Sequence, residues 1–366
     1  MRDWVQIVDV LEKSKQNKPR ALVGFDGFVD EICSVVADRA TNKAFKKVET
    51  ITDFATRLAK YAGLSMNIEL VPTQIKLGGN APIMANCLST LGNEIDFIGA
   101  IGKEAIHPLF KEFHDACRKC YSITEPGHTD ALEFNDGKIM LGKIDTMEDI
   151  NWQAIVDFIG YEKLIELTSQ TDLIAFNNWT LIFAMNDIIA GFTEILSQTK
   201  HKPYIYLDLT DPTKRDKQDI REALYFISEL QKVSKVMLGL NKNESLIIAE
   251  VLKFSEEDLI LRAKKIQQKL NIFACVIHDL KGACSGHEEG GEWVTGPYTP
   301  TPKLSTGAGD NFNAGYCYGI LQGLSPEEAL VTGVCTSGFY VRNSHSPNAE
   351  ELISFINSFY QNKIEE

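Results

Sequence analysis

Two rhythms of apolar and polar positions alternate along most of this chain. Short apolar runs read as buried strands: ALVGF (21–25), EIDFIGAI (94–101), DLIAF (172–176), YIYLDL (204–209), KVMLGL (235–240) and FACVIH (273–278). Stretches with helical spacing lie between them. SEEDLILRAKKIQQKL predicts a helix over 255–270, opened by Ser255 and Asp258 as a capping box. SPEEALVTGVCTSGFYV repeats the signal, with Ser325 as cap, Pro326 in the first turn and Glu328 three residues after the cap. NAPIMANCLSTLG is a third helix, and Gly92 falls where a C-terminal glycine cap belongs. Alternation of this kind predicts an α/β fold with a mostly parallel central sheet between layers of helices.

Three segments break the rhythm. EICSVVAD (31–38) and NIELVPTQIKL (67–77) are strand-like but separated by a helical stretch, and ALEFNDGKIML (131–141) is a hairpin with Asn135, Asp136 and Gly137 at its tip. Short crossovers cannot bring all of them into one parallel sheet. They predict a small β-sheet lid, drawn from about 29–77 and 130–143, over one end of the main sheet. No low-complexity linker or internal repeat interrupts the chain, so a single domain over 1–366 is expected.

Composition narrows the function. A formal charge of −13 argues against binding nucleic acid, which needs clustered Lys and Arg, yet leaves room for a phosphorylated small molecule. The most apolar stretch, DLIAFNNWTLIFAMNDIIAGF, is broken by Asn177, Asn178, Asn186 and Asp187, so it predicts a core strand and helix and no membrane span. The opening MRDWVQIVDVLEKSKQNK lacks a secretory pattern, and the eight Cys, mostly in apolar contexts, suit buried thiols in a reducing compartment. A cytoplasmic protein is expected. HDACRKC places His114, Cys117 and Cys120 three apart, but no fourth metal ligand is near and the stretch reads as one side of a helix.

The chemistry concentrates in LSTGAGDNFNAGYCYGI (304–320). A helix N-terminus presents unpaired N–H groups and partial positive charge. With Gly307, Ala308 and Gly309 at its start, an anion can approach those groups without meeting side chains. Asp310 beside them is placed to accept a proton from an attacking hydroxyl. Phosphoryl transfer needs this pairing of a base with N–H donors. An isolated GAGD serves equally well as tight helix packing with an acidic cap; the longer string is more specific.

Thr306, Gly307, Ala308, Gly309, Asp310, Phe312, Ala314 and Gly315 match, position by position, the T-G-A-G-D-x-F-x-A-G signature of the ribokinase-like (PfkB) carbohydrate kinases, and the chain resembles that family over nearly its whole length. GGNAPIMANCLSTLG resembles the family's first conserved helix, FIGAIGKE its V-G-x-x-G-D-D, LDLTDPTKR its D-x-N-x-R and LNKNES its N-x-x-E. The resemblance implies a ribokinase-like three-layer sandwich and an ATP-dependent, magnesium-requiring kinase acting on a hydroxyl of a sugar-like molecule. It makes Asp310 the general base, with the N–H groups of Gly307, Ala308 and Gly309 as anion hole. Asn241, Lys281 and Gly282 are implied at the nucleotide, Glu244 at the metal, and Asp26 or Asp30 with Gly78, Gly79 and Asn80 at the acceptor. Pairing of two copies through the lid is a further expectation.

Four departures from the pattern stand out. Ile83 takes the place of a common Asn. Leu304 replaces an acid linked to a monovalent cation, which puts potassium activation in doubt. Ile277, His278 and Asp279 replace T-x-G beside the nucleotide, and Ser344-His345 replaces Gly-Ala. They keep two alternatives open: a nucleoside kinase, whose base would need aromatic stacking partners in the lid, and a diverged binding protein without catalysis.

Overall fold

In the computed structural model, which describes residues 3–364, the strands are, in chain order, β1 (Arg20–Gly24), β2 (Phe28–Arg39), β3 (Phe45–Lys47), β4 (Leu70–Gly78), β5 (Glu94–Ala100), β6 (Lys119–Thr124), β7 (Gly127–Phe134), β8 (Gly137–Lys143), β9 (Leu173–Phe176), β10 (Tyr204–Asp208), β11 (Lys235–Asn241), β12 (Ala274–Asp279), β13 (Gly282–His287) and β14 (Trp293–Thr295). Nine of them form one sheet in the order β14-β13-β12-β11-β10-β9-β1-β5-β6. All pairings from β12 to β6 are parallel, and β13 and β14 are added antiparallel at one edge. The central strands are apolar almost throughout because helices cover both faces, as in parallel sheets generally.

One helical layer contains Trp4–Ser14, Asn80–Thr90, Ala308–Leu321, Glu328–Asn343 and Ala349–Tyr360; its core residues include Leu11, Met84, Leu88, Tyr316 and Ile356. The opposite layer is built on Phe192, Ile195, Leu224, Ile227 and Ile266, with the edge-to-face pair Phe176–Phe192 packed beneath it. No helix among the described residues is long and apolar enough to cross a membrane.

β2, β3, β4, β7 and β8 form the separate five-stranded lid sheet. Its outer face packs Cys33, Val35, Leu132 and Phe134 against Phe54 of the Ile51–Lys60 helix. The hairpin turns at Asn135–Asp136, where the sequence pattern placed it.

Boundaries differ from the sequence reading in instructive places. The 255–270 helix begins at Leu259, and Asp258 is its cap, accepting from the Leu261 N–H at 2.9 Å. Ser255 lies outside it. The Ser325–Glu328 box is present, with Glu328 Oε2 accepting from the Ser325 N–H at 2.9 Å. Gly92 has φ +102°, as a left-handed cap requires. β6, β13 and β14 were not foreseen: KCYSIT and GACSGH are too small and polar to stand out as buried strands. The stretch around Cys117 is likewise not one helical face, because the helix ends at Ala116 and Cys120 lies on β6. His114, Cys117 and Cys120 form no metal-ligating group, and all eight cysteines are free thiols.

Candidate active site

β1, β9, β10, β11 and β12 all point their C-terminal ends toward one edge of the sheet. Chain order reverses between β9 and β1, the kind of crevice where open α/β sheets bind ligands. Polar residues gather at those ends. Asp26 follows β1 and Asn178 follows β9, while Asp208, Asn241 and Asp279 end β10, β11 and β12.

Asp26 and Asp30 separate into different roles. Asp26 is fully buried beneath the crevice floor. Its carboxylate caps the Asn80–Thr90 helix, accepting from the N–H groups of Asn80 (3.0 Å) and Ala81 (2.8 Å), and from Asn178 Nδ2 at 2.6 Å. Burial pushes its pKa up to about 6 against those three hydrogen bonds. It therefore does not face the cavity beneath the lid, contrary to one of the two sequence expectations. Asp30, on β2, does line that cavity. Gly78 is needed opposite it: a Cβ there would lie 2.3 Å from Asp30 Cγ. Gly79 and Asn80 reach the cavity wall, and Gly78 does not.

Gly307 has φ +91°, a backbone conformation that favours glycine, and opens the Ala308–Leu321 helix. No side chain caps this terminus. Ala308 turns its N–H back to the Ser305 carbonyl at 3.2 Å, so the donors left for an anion are those of Gly307, Gly309 and Asp310. That corrects the expected trio by one residue.

Two cavities meet at this turn. One, of about 430 Å³, is walled by Asp30, Asn80, Thr129, Asn178, Gly307 and Asp310, with Lys138, Met140 and Gly142 of the lid over it. The other, of about 470 Å³, is walled by Asn241, His278, Gly282, Tyr298, Ala308 and Gly309. Ser305 lines both, so the Ser305–Asp310 turn is the partition between them.

Asp310 is buried and accepts one hydrogen bond, from Asn80 Nδ2 at 2.8 Å. Burial raises its pKa well above the ordinary aspartate range, and the charges of Asp208, Asp26 and Asp30 raise it further. A base with a raised pKa is a stronger proton acceptor once ionised. The rate should therefore fall as pH drops through that raised value. We expect the acid limb of kcat/KM to lie above the ordinary aspartate pKa of about 4. A pH–rate profile that stays flat down to that range contradicts the assignment.

In the second cavity, Asn241 caps the Lys242–Val251 helix in a reciprocal box with Glu244. Both Glu244 oxygens are engaged, Oε2 by the Asn241 N–H at 2.7 Å and Oε1 by the Asp211 N–H at 3.0 Å. Gly282 lines this cavity. Lys281 does not: its side chain is exposed at the β12–β13 turn and only its carbonyl is tied down, by the Gly296 N–H at 2.9 Å. Asp279 meets a cation, Lys242 Nζ at 3.3 Å, which offsets the repulsion it would exert on phosphates. Burial lowers the His278 pKa to about 4, so the ring is neutral at pH 7, against Phe312 at 4.9 Å. Ile83 packs beneath the turn; a Cβ on Gly307 would lie 3.3 Å from it.

Comparison with known proteins places the chain. Residues 9–359 match the family model described as prokaryotic ketohexokinase. The chain belongs to that family. It is a carbohydrate kinase with the ribokinase-like fold. A curated ketohexokinase from Haloferax volcanii is 28% identical over 344 residues, covering 93% of this chain and 91% of that protein. Among solved structures, ribokinase of Arabidopsis thaliana complexed with ribose and ATP superposes with a TM-score of 0.63 at 14% identity, covering 93% of this chain and 98% of that one. A nucleoside kinase of Methanocaldococcus jannaschii gives 0.63 at 12%, covering 93% and 98%. Sugar and nucleoside kinases thus share this fold, and the fold alone does not select the acceptor.

Several residues in or beneath the cavity walls were not foreseen. Asp208 had a signal, an acid closing an apolar parallel strand. Asn178 had a weaker one, a polar pair directly after DLIAF. Thr129, Lys138 and Lys214 had none, because hairpin and loop residues of this kind read as solvent-facing until the lid is folded over the sheet.

Proposed function

We propose that the protein transfers the γ-phosphoryl group of ATP to a hydroxyl of a ketohexose. The observation that carries this reading is the shared wall: the turn bearing Asp310 and the free N–H groups divides two cavities, each roomy enough for one substrate. A sugar held by Asp30, Asn80 and Asn178 would present its hydroxyl to Asp310. The acceptor oxygen bonds to phosphorus as its proton passes to the carboxylate, and the phosphorus–oxygen bond to ADP breaks. The amides of Gly307, Gly309 and Asp310 take the charge on the transferring oxygens. Lid residues Thr129, Met140 and Gly142 keep water from the acceptor's place.

The ketohexose assignment draws on the family and the Haloferax relative. It also suits the cavity, in which Phe28 is the one aromatic residue among the described lining residues; a nucleobase calls for more stacking surface. A magnesium ion fits the donor set beside the nucleotide cavity. Asp208 and Glu244 are buried carboxylates, and neither is paired with a Lys or Arg among the described residues; burial and then repulsion from Glu244 raise Asp208 to about 7. These two would hold the ion, which would supply charge neutralisation for the nucleotide phosphates.

The test is product formation from ATP and magnesium with a panel of ketohexoses, aldoses and nucleosides, read by phosphorus NMR and mass spectrometry. A phosphorylated ketohexose is expected as the fastest product. Faster nucleoside phosphorylation, or ADP without phosphorylated sugar, contradicts the proposal. Leu304 sets a companion expectation: exchanging sodium for potassium should leave turnover unchanged, and a large potassium-specific activation would show that the missing acid is compensated elsewhere.

A further inference from the structure

The acceptor cavity carries cations that a neutral sugar does not need. Lys138, on lid strand β8, extends its ammonium to donate to Thr306 Oγ1, on the residue immediately before Gly307. Lys214 lines the same cavity, and Lys76 stands on β4 opposite Asp30. None of the three makes an ion pair with a carboxylate among the described residues, although the chain carries thirteen more negative than positive charges. Lys138 and Lys214 remain open to solvent at the cavity, where an incoming anion can reach them, and Lys76 is half-buried beside Asp30. Partial desolvation beside the lid and then the charge of Lys76 lower the Lys138 pKa, while Glu133 and Asp30 offset part of this, although the side chain itself is exposed.

We propose that Lys138 is a lid-borne catalytic cation, gripping the migrating phosphoryl group from the side opposite the Gly307 and Gly309 amides. This rests on the phosphoryl-transfer reading above. Its contact with Thr306 sets the ammonium at the turn whose N–H groups face the cavity partition, so a group crossing that partition meets donors from both sides. In the step itself, the acceptor oxygen forms its bond to phosphorus and gives its proton to Asp310. The bond to ADP breaks with its electron pair on the ADP oxygen. Lys138 keeps all its protons and acts by charge and hydrogen bonding alone. Because the turn belongs to the main body and Lys138 to the lid, the cradle is complete only with the lid down. That arrangement couples phosphoryl transfer to the presence of the sugar.

The same ammonium could instead bind a phosphate or carboxylate carried by the acceptor, and kinetics separate the two sources. Lys138→Ala and Lys138→Arg are compared with wild type using a ketohexose, a sugar acid and a sugar phosphate as acceptors. In parallel, affinities for ADP and for the non-hydrolysable β,γ-imido analogue of ATP are measured without acceptor. The expected result for Lys138→Ala is a kcat about 100-fold lower with the ketohexose. Its KM should stay within about threefold. Lys138→Arg should recover about tenfold of the lost rate, since it keeps the charge. The analogue's advantage over ADP should shrink in Lys138→Ala. Undiminished kcat, an unchanged analogue preference, or a loss confined to the KM of an acidic acceptor overturns the proposal. If wild type phosphorylates no ketohexose, the functional reading fails separately, and the analogue comparison still decides the role of Lys138.

Discussion

Asp310→Ala should lower kcat by about 10²–10⁴-fold, the range that a positioned general base contributes. Nucleotide affinity should change little, because Ala308 and Gly309 line the nucleotide cavity while Asp310 faces the other side of the partition. Folding should survive. Asp310 has one side-chain hydrogen bond, from Asn80, and its burial among three other carboxylates costs stability when it is ionised. Steady-state kinetics and nucleotide titration on the same preparation check both halves. Turnover comparable to wild type removes Asp310 from the role of base. Loss of nucleotide binding together with activity points to a structural role.

The second large effect is expected at Asp30. Replacing it with alanine removes the one carboxylate besides Asp310 among the described residues of that cavity's wall. A hydrogen bond from a sugar hydroxyl to a charged group contributes about 1.5–3 kcal/mol. The loss in kcat/KM for the acceptor should therefore be at least about tenfold for each hydroxyl held. Asp26→Ala should behave differently. Its carboxylate caps a helix and anchors Asn178, so its removal should lower the melting temperature and disturb Asn80, which donates to Asp310. If Asp26→Ala leaves stability untouched and Asp30→Ala leaves acceptor kinetics untouched, the division between these two aspartates is wrong.

These two residues also mark how far the sequence could be read. The first strand ends in GFDGFVDE, and nothing in that string tells which acid faces a ligand. The answer depends on β2 leaving β1 for the lid, whose pairing sets Asp30 opposite Thr129 and Lys76, and on Gly78 making room for the carboxylate. Both are long-range facts. By contrast, the geometry of the Gly307–Asp310 turn was legible because its features are local: one glycine with positive φ, a bare helix start and an acid three residues on. The parallel sheet was legible for a related reason. Strands covered on both faces must be apolar through their interiors, and ALVG, LIAF and VMLGL are.

The rest was hidden where tertiary structure decides. GACSGH forms a strand because β12 is already in place to pair with it, not because its residues favour one. Ala308 looked like a free donor until its N–H was found on Ser305. Asp279 looked hostile to a nucleotide until Lys242, thirty-seven residues earlier, was found beside it. Lys138 looked like an ordinary hairpin lysine. Its meaning appears only when the lid lies over the turn.

A structure of the protein with a ketohexose and the β,γ-imido analogue of ATP bound together tests the central claim most directly. The account predicts one sugar hydroxyl within hydrogen-bond distance of an Asp310 carboxylate oxygen, about 2.6–3.2 Å. It also predicts γ-phosphate oxygens on the Gly307 and Gly309 N–H groups, in line between that hydroxyl and the β-phosphate. A sugar whose hydroxyls all turn away from Asp310, or a γ-phosphate held elsewhere in the nucleotide cavity, would contradict it.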